Sequence, residues 1–147
     1  MNAEGGTRNA EQPSRIVAPR DLKERTKAFA VGIVRLVQEL PHGRVADVIG
    51  DQLLRSGTSV AANYRSARRA RSRREFLAKM GIVEEEADET SLWLDLLIEA
   101  RLVTSTRVFE LRHESEELVA ITVASIRTAR GGGGSVPRSA FPVRRSS

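Results

Sequence analysis

The residues with the most chemistry to offer lie together in the chain. Asn63 to Phe76 reads NYRSARRARSRREF, and six of the ten residues from Arg65 to Arg74 are arginine. Guanidinium forks bind phosphate and carboxylate oxygens in pairs, so a cluster of this density points to RNA or DNA, or to acids of a neighbouring subunit. Its two halves differ. Arg65, Arg68, Arg69 and Arg71 fall in the last turns of one predicted helix, where cations complement the helix dipole by about 0.3–1 kcal/mol each. Arg73 and Arg74 open the next helix, where the same dipole disfavours positive charge, so these two call for an anionic partner.

A second group is a polar stripe. Gln52, Ser56, Ser59 and Asn63 are spaced four, three and four, which puts them on one helical face. That face is either a polar recognition surface or a set of register-fixing hydrogen bonds, with Gly57 and Ala61 allowing close approach. Antiparallel pairing about a turn near Arg71 brings Arg55 opposite Ala87 and Asp88, and Arg55 with Asp88 is the expected buried pair. Tyr64 and Trp93 could stack bases, but at helical spacing among apolar residues they read more simply as core or subunit-interface aromatics.

Metal and catalytic readings are weak. The acids Glu84, Glu85, Glu86, Asp88 and Glu89 form a block, but a carboxylate di-metal bundle needs two Glu-x-x-His motifs. The chain has one, Glu110 to His113, and its other histidine, His42, falls in a predicted loop. Neither a supported nucleophile triad nor a phosphate-cradling loop between strand and helix is present. The expectation is a protein that is not an enzyme and holds no metal or cofactor.

Four elements must position these residues. Leu22, Thr26, Phe29, Ile33, Leu36 and Leu40 recur at three- and four-residue steps, and Asp21 with Glu24 forms a start signal. Helices are predicted at about 21–40, 45–70, 73–102 and 107–129. Pro41 and Gly43 end the first, and Ser72 with Glu75 makes a capping box at the start of the third. Strand signals are absent. Amphipathic helices of this length with short connections predict an all-α, up-down-up-down four-helix bundle over residues 19–130. Residues 1–18 read as a disordered tail, and 131–147 as a flexible Gly/Ser linker with a basic end.

Composition bounds the rest. The 147 residues carry a formal charge of +5, yet residues 21–130 hold 18 Lys+Arg against 17 Asp+Glu. Local patches therefore matter more than bulk charge. The absence of cysteine removes disulfides and thiolate chemistry and favours a reducing, cytoplasmic setting. No secretory h-region opens the chain, and no apolar run approaches the ~20 residues of a membrane span, so no membrane partner is expected.

The segment QLLRSGTSVAANYRSARRARSRREFLAKMGIVEEEADETSLWLDLLIEARLV, Gln52 to Val103, preceded by LPHGR, resembles the four helix bundle proteins named for intervening sequences in bacterial 23S rRNA genes. The resemblance implies a homo-oligomeric bundle, a pentamer among the expected forms, without known enzymatic activity. It also implies kinship to the bundle protein of diversity-generating retroelements, which works beside a reverse transcriptase and its RNA. Many relatives show NIAEG where this chain has Asn63-Tyr64-Arg65-Ser66-Ala67, so the acidic residue of that motif is missing here.

The reading is thus a self-associating bundle that contacts nucleic acid through the helix 2–3 junction. The competing class is a protein-interaction scaffold whose charges serve assembly alone.

Overall fold

The apolar periodicity is realised as four α-helices in the computed structural model, which describes residues 21–131. They are α1 (Asp21–Glu39), α2 (Arg44–Arg68), α3 (Arg73–Glu99) and α4 (Thr106–Ala129). The tails expected at 1–18 and beyond Gly131 lie outside the described residues. At 19–27 residues each, the helices are about 28–40 Å long.

Each helix packs antiparallel on the next in sequence, and α1 meets α4 along a less extensive seam that closes the ring. The core runs the length of this up-down-up-down bundle through Ile33, Leu53, Val60, Met80, Leu94, Leu97, Val108 and Leu118, all essentially inaccessible to solvent. Truncating one such side chain to alanine typically costs about 2–5 kcal/mol. The α1–α2 seam is tightest at Gly57, where an added Cβ would lie 2.8 Å from Ile33 Cγ1.

Two helix ends follow from local chemistry. Ser72 caps α3, its Oγ accepting from the Glu75 amide at 3.0 Å. Glu75 returns the interaction one residue further back than a standard capping box, accepting from the Arg71 amide at 3.1 Å. At the other end α3 stops at Glu99, three residues short of the periodic expectation. Arg101 takes a left-handed conformation (φ 58°), Leu102 donates to the Leu97 carbonyl, and Arg101 donates to that of Ile98. This is a Schellman ending with arginine where glycine is usual, and composition gave no signal for it.

The topology gathers the start of α1, the α2–α3 junction and the end of α4 at one pole. The α1–α2 and α3–α4 connections lie at the other.

Candidate nucleic-acid interface

All six junction arginines, Arg65, Arg68, Arg69, Arg71, Arg73 and Arg74, are solvent-exposed. Among the described residues, none has a carboxylate oxygen within 4.0 Å. The one acid in the segment, Glu75, is turned to the backbone as part of the α3 cap. The junction is therefore a cationic tip whose charges are left to solvent. Arg73 and Arg74 occupy the first turn of α3, where the open backbone amides add to the positive potential.

Two further arginines join the tip that the sequence reading did not pick out. Arg127 and Arg130 end α4 and are exposed. The guanidinium of Arg73 lies 3.4 Å from where a Cβ on Gly131 would stand, so the α3 start and the α4 end adjoin. The signal that could have found them is topological: in an up-down-up-down bundle the end of helix 4 shares a pole with the helix 2–3 turn. They were passed over because they do not form a run.

The arginines of the seams differ. Arg25 of α1 bonds Glu114 of α4 through Nε at 2.9 Å and also meets Glu117. Arg107 of α4 meets Glu39 of α1 at 2.7 Å. Arg112 meets Asp95 of α3 at 2.6 Å, and Glu116 one turn on. The hydrogen bonds that Arg25 donates to Glu114 and Arg112 donates to Asp95 raise those guanidinium pKa values above the ordinary range.

The polar stripe is brought against α3 only in part. Ser56 is fully buried and accepts from Thr90 Oγ1 at 2.9 Å. Asn63 turns back to the Ser59 carbonyl at 2.9 Å, and Gln52 accepts from Arg55 Nε at 3.3 Å. The expected buried Arg55–Asp88 pair does not form. Arg55 is exposed and meets Glu86 at 3.3 Å and also Glu89, while Asp88 faces solvent. Helical phase turns Asp88 outward and presents Glu86 and Glu89 to Arg55 in its place. Gly57 serves the seam with α1 rather than this one. A second buried hydroxyl pair, Ser91 with Ser115 at 2.6 Å, ties α3 to α4 and was missed.

Tyr64 is a core residue, 5% exposed, and burial raises its hydroxyl pKa. Trp93 is half-buried against the core, and its indole nitrogen is buried without a hydrogen-bond partner among the described residues. Glu110 and His113 both point outward. Among the described residues no three of His, Asp and Glu converge as a metal group, and no helix is long and apolar enough to cross a membrane.

Comparison with known proteins gives a family match and similar solved structures. The family model described as "23S rRNA-intervening sequence protein" matches residues 20–124. A protein of unknown function from the S23 ribosomal protein family of Bacteroides thetaiotaomicron VPI-5482, solved by crystallography at 1.70 Å, is 36% identical with a TM-score of 0.69. That alignment covers 74% of this chain and 97% of the other. No curated protein matches.

Proposed function

The chain belongs to the 23S rRNA-intervening sequence protein family, and we propose that it is a non-enzymatic, cytoplasmic, self-associating bundle that binds RNA through the phosphates facing its arginine tip. One observation carries this reading: six exposed arginines lie in ten residues, and none has a carboxylate within ion-pairing distance among the described residues. Along the seams Arg25, Arg55, Arg107 and Arg112 are each paired with an acid, and Arg35, Arg44 and Arg101 stand singly without one among the described residues, so the junction is where unpaired arginines are gathered. Binding of this kind is phosphate-driven and weakly selective for sequence, because phosphate contacts position a protein without reading bases. Assembly would repeat the tip around one rim and multiply a modest patch by its copy number.

The second reading, a scaffold for protein partners, is favoured by exposed apolar side chains away from the tip. Val45 and Val48 are each 58% exposed, Phe109 56% and Leu92 52%.

Light-scattering mass of the full chain, with and without a structured RNA at low and moderate salt, separates the two. RNA mass gained at low salt and shed as salt rises supports the first reading. An oligomer that ignores RNA in both buffers overturns it in favour of the scaffold.

A further inference from the structure

We infer that the nucleic acid gripped by the tip is double-helical RNA rather than a single strand, and that Arg127 and Arg130 of α4 form part of the grip. This inference rests on the phosphate-binding reading above and adds the class of ligand.

The first ground is what the tip lacks. Proteins that hold single strands stack bases on exposed aromatic rings, at about 1–3 kcal/mol per base, whereas duplex RNA is held through backbone and shape. Every aromatic of the described tip is packed inward: Tyr64 is 5% exposed and Phe76 6%. The half-buried Trp93 stands twenty residues along α3 from Arg73, about 30 Å away by helical rise. Exposed Phe109 stands twenty residues along α4 from Ala129, at the opposite pole. A single strand meeting this surface would find charge and no stacking platform.

The second ground is how the charge is laid out. The α2 end supplies Arg65, Arg68 and Arg69, and the adjoining ends of α3 and α4 supply Arg73, Arg127 and Arg130. Packed helices lie about 8–10 Å apart, so the tip offers one group of cations on the α2 end and another on the adjoining α3 and α4 ends, with Arg71 in the connection between them and Arg74 beside Arg73 on α3. A duplex presents phosphates in two rows at fixed spacing and meets both groups at once. A flexible strand must first be ordered to do so, which lowers its affinity. Residues 64–75 and 126–131 together hold eight arginines and one acid, the capping Glu75, and the start of α1 at the same pole adds Asp21 and Glu24 beside Lys23.

The test is fluorescence anisotropy of the full chain with an RNA hairpin stem and with an unstructured RNA of equal length, titrated with salt. The same is done with Arg127→Gln plus Arg130→Gln, changes at exposed positions that are expected to leave the fold intact, which circular dichroism checks. Parent and variant share the C-terminal residues Arg138, Phe141, Arg144 and Arg145, so any tail contribution cancels in the comparison. The duplex is expected to bind at least tenfold tighter than the single strand. The variant should lower duplex affinity and make the slope of log K against log salt shallower by about 2. Equal or tighter binding of the single strand overturns the duplex inference while leaving a phosphate surface standing. An unchanged slope in the variant removes Arg127 and Arg130 from the grip. Failure to bind either RNA overturns the phosphate-binding reading itself.

Discussion

Arg25, Arg55, Arg107 and Arg112 run along the seams of the bundle and each meets at least one carboxylate, whereas the six arginines of the α2–α3 junction meet none among the described residues. The difference lies in placement. Residues 21–130 carry 18 basic and 17 acidic side chains, so the positive charge of the junction comes from placement: only Glu75 stands among its six arginines, and the seam acids are taken up by seam arginines. Seam arginines hold helices together and are screened by their partners. Tip arginines form no ion pair among the described residues: those ending α2 complement its dipole, while Arg73 and Arg74 oppose the dipole of the helix they begin. Side chains that a stability argument would replace are the ones to examine for function.

The seams should answer to packing, and the largest effect is expected there. Gly57→Ala should lower stability by about 1–2 kcal/mol in urea unfolding, because its Cβ meets the branched stem of Ile33 and the helices must part. Gly32→Ala meets only the mobile end of Leu111 and should stay within about 1 kcal/mol of the parent. Equal losses would mean that the α1–α2 seam has no special closeness.

Next in size is the contrast of paired and unpaired arginines. Arg25→Ala should cost about 1 kcal/mol, the upper range for a partly exposed ion pair, and Arg73→Ala with Arg74→Ala, which lifts positive charge from the first turn of α3, no stability at all. A larger loss at the tip than at the seam would break the comparison.

Arg73→Glu with Arg74→Glu sharpens it further. Acids suit the first turn of α3, so thermal or urea unfolding should show a gain of about 0.5–1 kcal/mol together with loss of RNA binding. The smallest effect is expected at the far pole. Arg101→Gly relieves the left-handed backbone and should raise stability by about 0.5 kcal/mol without touching RNA binding.

Much of this was legible in the sequence. The 3.6-residue apolar period gives four helices and their order, and Ser72 with Glu75 gives the start of α3. Three features needed the folded chain. The end of α3 depends on an arginine in a conformation that residue type argues against. The partners of Arg55 depend on helical phase, which a register estimate good only to about one turn does not resolve. Arg127 and Arg130 belong to the tip through topology alone, since their own sequence surroundings mark nothing. The six junction arginines were visible at once, but their lack of acidic partners was not, because it depends on where every other carboxylate goes.

The most direct measurement is the salt dependence of RNA affinity for the full chain and for Arg73→Glu with Arg74→Glu, with oligomer mass followed in parallel. A slope of log K against log salt between about −4 and −7, made shallower by about 2 or more in the variant at unchanged mass, is the predicted result. Loss of the oligomer in the variant, or a slope that the two changes leave untouched, would contradict a phosphate-binding tip and assign these arginines to assembly.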